Sequence, residues 1–281
     1  MTATHALKPA HGTAARYIMA GAGVIVLLAL TALAAPLIAP HDPEAMDVLQ
    51  VLGGPSWVHP FGSDVLGRDV LTRVIYGLQA SLMVSISAVV GSLVLAVPLG
   101  LVAGYFGAWV DGAISRVLDM ILVLPAMLLA ITFIAILGPG SAVAAIAIAV
   151  IYLPILARVM RTSTLVVARQ DYVAGARARG ASHLRVIVTH VAPNALGPVV
   201  VQASILAAFA LQLEAGLSFL GLGTQPPTPS LGGMLADGRD VLGQAPWVEI
   251  FPGLAIVAAV IAFSLLGEGL RRVFDPDGGA E

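Results

Sequence analysis

The sequence predicts an all-α, polytopic membrane protein with six transmembrane helices and both termini in the cytoplasm. Three observations predict it. The composition is 58% apolar and 11% charged, with a mean hydropathy of +0.95, where an ordinary soluble domain carries about 25% charged residues. The chain also divides into uncharged runs long enough to cross the bilayer, which takes about 20 helical residues each. Lysine and arginine, finally, gather in alternate loops, as the positive-inside rule requires. The 281 residues leave no room for a large soluble domain, and the net charge of -2 says little because its sign changes along the chain.

The elements follow in order. Met1 to Arg16 is short, polar and mildly basic, and Tyr17 to Pro40 is uncharged, which makes it the first span. A signal peptide is the rival reading, with Ala-Leu-Ala-Ala at 32–35 as a cleavage site. The apolar run exceeds the roughly 7–15 residues of a signal core, which favours the span. Residues 41–73 are polar, acid-leaning and rich in turn formers, so they lie outside the bilayer. Asp64 with Arg68, and Asp69 with Arg73, stand at i,i+4 with the acid first, and this predicts a surface-lying helix leading into the next span.

Val74 to Val110 is uncharged and holds the second span, about Ala80 to Ala103, closed by the Gly-rich turn GYFGAWVDG. The uncharged run from Met120 to Ala157 is too long for one helix, and Gly138-Pro139-Gly140 divides it into a hairpin of two spans, about Ala113 to Leu137 and Ser141 to Ala157. Pro98, Pro125 and Pro154 fall inside spans, where neighbouring helices satisfy the freed carbonyls. They read as structural kinks, with a gating hinge as the alternative. The fifth span is about Leu196 to Leu222. A loop from Gly223 to Glu249 follows, containing Gln225-Pro226-Pro227-Thr228-Pro229, and the sixth span is about Ile250 to Gly267. Arg271, Arg272 and a short acidic tail close the chain.

A cytoplasmic N-terminus puts Lys8, Arg16, Arg116, Arg158, Arg161, Arg169, Arg177, Arg179, Arg185, Arg271 and Arg272 inside, and leaves only Arg68, Arg73 and Arg239 outside. Three segments result: 1–79 with the first span, 80–270 with five spans and a cytoplasmic loop at 161–194, and a tail at 271–281.

Chemistry-bearing residues are sparse. Cysteine is absent, which excludes disulfides, thiolate metal sites and a cysteine nucleophile. No phosphate-cradling Gly-x-x-x-x-Gly-Lys-Ser/Thr, nucleophile elbow or His-x-x-x-His pair is present, so no ATP-hydrolysis site is expected in the chain. His5, His11, His41, His59, His183 and His190 all fall outside the spans and read as surface or loop residues, with no metal site expected. Glu214 is an acid placed deep within a span. Placing it there costs at least about 2.5 kcal/mol on insertion scales, which makes it a functional candidate. It either lines a polar translocation path or bonds to a neighbouring helix, and Gln212 and Ser218 extend a polar stripe for either purpose.

The stretch 171–194, DYVAGARARGASHLRVIVTHVAPN, is the polar and basic interruption between apolar flanks. Asp171 suits a helix N-terminus, and Ala174, Ala176 and Ala178 are strong helix formers. Gly175 and Gly180 are costly in a helix but, with their small neighbours, permit close approach by another protein. Arg177, Arg179 and Arg185 offer charge to an acidic rim. A solvated loop is the alternative.

This stretch resembles the cytoplasmic loop of ABC importer permeases, whose pattern is Glu-Ala-Ala, three residues, Gly, and a hydrophobic stretch closing on Leu-Pro. Ala174-Gly175-Ala176 stand at the Glu-Ala-Ala positions, Gly180 at the glycine and Val191-Ala192-Pro193-Asn194 at the close; Ala174 replaces the glutamate and Ala192 the leucine. The segments at 61–73 and 214–229, Phe251-Pro-Gly-Leu, and Leu266-Gly-Glu-Gly-Leu-Arg before Asp275-Pro276 are similar to the peptide/nickel subgroup, and the chain resembles the second permease of its pair. The resemblance implies a type I importer permease fold in the bacterial inner membrane and a coupling helix docked on an ATPase subunit. Asp171, Ala174, Gly175, Ala176, Arg177, Arg179, Gly180 and Pro193 stand at the coupling positions. It also implies two different permeases, two ATPases carrying ATP and Mg, and an extracytoplasmic binding protein docked on outer loops that include 223–249. No cofactor is expected in this chain and no nucleic-acid partner. Peptides are the expected substrate, with nickel or another small solute as the alternative. An ion-coupled secondary carrier using Glu214 is the rival from another class; a membrane enzyme is disfavoured because no nucleophile and base can be assembled within the spans.

Overall fold

The computed structural model describes residues 10–274, with side chains from residue 14 onward. Lys8 and the acidic tail from Asp275 lie outside the described residues. α1 (Ala10–Leu33) and the single turn α2 (Ala35–Ile38) supply the first span. Met19 is 66% and Leu27 62% exposed, the inverse of a soluble helix and the arrangement of a surface bathed in lipid or in another membrane subunit.

The segment from 41 to 69 is not the expected surface helix. It is a series of turns with one 3-10 turn at Val48–Gln50. Gly67 has a φ of +75°, and a Cβ there would lie 1.9 Å from the Asp47 carbonyl oxygen, so the chain folds back on itself where a helix would have continued. The acid–base spacing acquires a different meaning. Asp64 does pair with Arg68, Oδ2 accepting Nε–H at 2.7 Å, but across a turn in which Asp64 Oδ1 also accepts the Leu66 and Arg68 backbone N–H groups. Asp69 does not pair with Arg73. Its carboxylate caps the next helix on Thr72 N–H at 2.8 Å, and Arg73 turns instead to Asp64.

That cap starts α3 (Val70–Phe106) well before the expected Ala80. At 37 residues the helix is about 55 Å long, against about 30 Å of hydrocarbon, so it projects beyond the membrane core. The expected segment boundary at residues 79 and 80 falls inside it. Gly100 and Gly104 bring α3 against α6: a Cβ at Gly100 would stand 2.5 Å from Met160 Cβ, and one at Gly104 2.6 Å from the Arg161 carbonyl oxygen. Small residues at such crossings are how membrane helices gain close packing.

The expected single span Ala113–Leu137 is broken. α4 (Ala108–Leu122) and α5 (Ala126–Leu137) meet at 87°. Proline disfavours helical backbone in the residue before it, and Pro125 itself takes extended ψ as the cap of α5. α4 is amphipathic and tied to α6 through its acids: Asp111 accepts both Arg161 Nε–H and Nη2–H, and Asp119 accepts Arg158 Nη2–H at 2.7 Å. The Gly138-Pro139-Gly140 turn leads, as expected, into α6 (Ser141–Val167), which continues through Pro154 and past Ala157.

α7 (Asp171–Ala178), α8 (His183–Val186), a wide π turn at Ile187–Val191 and α9 (Ala192–Ala195) follow. α10 (Gly197–Phe219), the short α11 (Leu231–Gly238) and α12 (Trp247–Phe274) complete the order. Five helices, α1, α3, α6, α10 and α12, are long and apolar enough to cross a membrane, and the bent α4/α5 pair makes the sixth crossing.

Contacts sort the bundle into two ends. At one, the Arg272 guanidinium lies 4.5 Å over the Tyr17 ring, Phe274 fills the space beside Gly197, and Tyr105 meets His183. At the other, Trp247 Nε1–H donates to the Ser63 carbonyl at 3.0 Å, Phe61 stacks on Phe251, and Ser141 Oγ–H donates to Thr224. The first end carries Arg16, Arg158, Arg161, Arg177, Arg179 and Arg271, and is therefore the cytoplasmic one.

Candidate functional site

The cytoplasmic site begins where α6 ends. α7 has Asp171 in its first turn and Arg177 in its last, both favourable to the helix dipole. Gly180 stops it at a φ of +82°, with Gly180 N–H donating to the Arg177 carbonyl and Ala181 N–H to Ala176, the left-handed stop that glycine adopts without steric cost. Ser182 then caps α8. Val173 and Ala176 face inward and are buried, so Ala176 is not part of an open backbone surface. Asp171, Ala174, Arg179 and Gly180 are exposed and Gly175 half-buried. Beside them Tyr172, Leu184 and Val188 are exposed apolar side chains, Leu184 at 72%.

Arg177 is not simply a charge offered outward. Its Nε–H donates to the Tyr105 hydroxyl at 3.1 Å, and its guanidinium lies 4.5 Å above the Tyr105 ring. The same hydroxyl is 3.0 Å from His183 Nδ1. Tyr105, near the C-terminus of α3, thus clasps both α7 and α8. Pro193 and Asn194 line a groove of about 960 Å³ together with Thr162, Ser163 and Phe274.

Glu214 is fully buried in α10. Ser218 Oγ–H donates to its Oε1 at 2.7 Å, one turn along the same helix. The start of α11 presses on this turn, since a Cβ at Gly232 would lie 2.1 Å from the Ala215 carbonyl, while Leu231 N–H reaches Ser81 of α3 at 3.4 Å. Three helices therefore enclose the carboxylate. Gln212 does not extend the expected stripe: it is exposed, because residues two apart on a helix do not share a face.

On the extracytoplasmic side, a cavity of about 450 Å³ lies between the 61–73 segment, the proline-rich turn and α11. Arg68, Arg73, Asp237, Ser218 and Thr224 line it. Both guanidiniums converge on Asp237, at 3.5 and 3.8 Å, and both face Asp64 as well. Burial pushes the Asp237 carboxyl above its ordinary range, against the opposing pull of Arg73 and Arg68. Asp237 and Tyr105 were not among the candidates from sequence, since their partners are remote in the chain.

Residues 96–277 match the family model of the binding-protein-dependent transport system inner membrane component. The chain belongs to this family. Residues 16–55 match a second family, the N-terminal TM domain of oligopeptide transport permease C. The chain is 42% identical over 253 residues to the dipeptide transport system permease protein DppC of Alkalihalophilus pseudofirmus, covering 90% of this chain and 83% of that one. It is 42% identical to the di/tripeptide permease DppC of Pseudomonas aeruginosa, covering 90% and 85%, and 42% identical to the glutathione permease GsiD of Escherichia coli, covering 92% and 86%. Among solved structures, it shares its fold with a chain of the inward-facing MetNI methionine ABC transporter (19% identity, TM-score 0.59, 73% of this chain and 95% of that one). An amino acid ABC transporter matches comparably, at 17% identity and TM-score 0.56, covering 72% and 94%. The protein is a multi-pass inner-membrane permease subunit of an ABC importer. Permeases of this family work with ATPase and substrate-binding partners, and in such importers ATP hydrolysis lies on separate subunits.

Proposed function

We propose that this permease imports small peptides, paired with a second and different permease subunit, two ATPase subunits that carry ATP and Mg, and an extracytoplasmic binding protein. The names of its relatives, dipeptide, di/tripeptide and glutathione permeases, support the substrate class. The observation that carries the coupling role is the pairing of an exposed α7–α8 surface with an anchored inner face. Tyr172, Ala174, Arg179, Gly180 and Leu184 are open to a partner, while Val173 and Ala176 are buried and Arg177 bonds to Tyr105 of α3. A push on α7 is delivered through Tyr105 to a helix whose other end starts at Asp69, beside the outer cavity. Ala174 takes the glutamate position, so the ATPase contact on this subunit relies on shape and on Arg179. The enclosure of Glu214 among α3, α10 and α11 supports a helix contact over a proton-carrying role.

The test is uptake of a labelled dipeptide into vesicles holding the complete complex, with the binding protein outside and ATP supplied to the ATPases. Uptake that needs both supports the reading; uptake driven by a proton gradient without ATP overturns it. Gly180→Val should cut uptake at least about tenfold while the subunit still inserts, because a β-branched residue at positive φ distorts the α7–α8 turn. Unchanged uptake would argue against the coupling role.

A further inference from the structure

Asp69 poses a charge problem that the transport reading does not use. Its side chain is 1% exposed, and a buried carboxylate requires a counter-charge. Among the described residues no lysine or arginine supplies one, because Arg73 turns to Asp64 and Asp237. What approaches Asp69 are two imidazoles. His59 Nδ1 lies 2.9 Å from Oδ1 and His41 Nδ1 lies 3.8 Å from the same oxygen. The His41 Nδ1 atom is buried and without a hydrogen-bond partner. The two rings stack with centroids 4.8 Å apart.

We propose that His41, His59 and Asp69 form a divalent transition-metal site, suited to Zn²⁺, which clamps the extracytoplasmic 41–69 segment to the first turn of α3. The ligand atoms all lie within 4.8 Å of one another. In a tetrahedral zinc site with ligands at about 2.0–2.1 Å the ligand–ligand edges are about 3.4 Å. The two edges to Asp69, 2.9 and 3.8 Å, bracket that value, and the third, between the imidazoles, lies within 4.8 Å and closes on the ion by a small turn of the partly exposed His41 ring. Two imidazoles and one carboxylate suit zinc rather than magnesium or calcium, which take oxygen ligands. His41 is a third exposed, leaving the fourth position open to water. The carboxylate is held from behind: Asp69 Oδ2 accepts Thr72 N–H, and Thr72 Oγ1 in turn accepts His41 N–H at 3.3 Å. Such outer partners orient metal ligands. The site draws chain from residue 41 onto residue 69 beside the outer cavity, so the bound ion would order the face on which a partner docks.

The experiment uses the full chain in detergent, without a histidine tag and stripped with chelator, titrated with Zn²⁺ alone and then with Co²⁺. The expected result is one ion per chain, a rise in melting temperature, and the visible d–d bands of tetrahedral cobalt. His41→Ala, whose ring makes no hydrogen bond and whose backbone bond to Thr72 is retained, should weaken binding at least about tenfold, whereas His183→Ala and His190→Ala should leave it unchanged. The proposal is overturned if the wild-type chain binds no ion, if cobalt gives octahedral bands only, or if His41→Ala binds as the wild type does. The cobalt spectrum decides on the wild-type chain alone should the variant fail to fold.

Discussion

The two ends of α3 solve the problem of placing polar groups beside a membrane in opposite ways. At the outer end Asp64, Arg68, Asp69 and Arg73 are all buried, and every one has a charged or imidazole neighbour within the chain. At the inner end a single buried tyrosine, Tyr105, holds two short helices whose remaining polar groups face solvent. The outer end is a built platform whose parts cannot be moved separately. The inner end is a handle, joined by a few bonds and open to a partner. On the coupling role proposed above, work entering at the handle would reach the platform along about 55 Å of one continuous helix.

The contrast would break most visibly at the platform. Asp64→Ala leaves two buried guanidiniums with only the more distant, partly exposed Asp237, and removing one partner of a buried pair costs about 3–5 kcal/mol. Thermal unfolding of the purified permease should show a loss of that order, together with poor accumulation in the membrane. A loss below about 1 kcal/mol would mean that water already screens the network.

At the handle, Tyr105→Phe keeps the ring under Arg177 and removes only the bridging hydroxyl. The two bonds lost are worth about 1 kcal/mol each, so the melting temperature should fall by only several degrees while ATP-driven uptake falls about fivefold. Equal falls in stability and uptake would make Tyr105 a packing residue and not a transmitter.

The smallest effect sharpens the platform's edge. Asp237 is partly exposed, and its carboxyl titrates above the ordinary range because burial penalises the charge, with Arg73 and Arg68 opposing and Asp64 adding to the shift. A carboxyl with a raised folded-state value is easiest to accommodate while protonated. Its contribution is therefore greatest below the unfolded-state value, about 3.9, and is lost as pH rises through the folded one. Asp237→Asn should flatten the decline in melting temperature over that acidic window, and an unchanged slope would assign the pH dependence elsewhere.

Several features were legible before any coordinates. Asp171 opens α7 as expected, and the Gly138-Pro139-Gly140 turn divides α5 from α6, whereas Gly180, read as a costly residue within the helix, is its stop. Other features were not. The 61–73 segment carries the same acid–base spacing as a surface helix, yet glycines at positive φ turn it back and free Arg73 for an acid on α11. Pro125 looks in sequence like Pro98 and Pro154, but only Pro125 breaks its helix, whereas the other two stand within continuous α3 and α6. Gln212, by contrast, was legible and misread: helix spacing alone puts a residue two positions from Glu214 on another face and Ser218, four positions on, on the same one.

By itself, then, the sequence determined the solvent, the number of crossings, their orientation and the place of the polar cytoplasmic segment between α6 and α10. Those depend on hydropathy, charge count and local backbone preference, which act over a few residues. Tertiary structure alone decided which charge meets which: Arg73 with Asp237, Tyr105 with Arg177 and His183, and two histidines with Asp69. Such pairings arise only when distant helix ends are brought to one side of the bundle, and no local spacing encodes that.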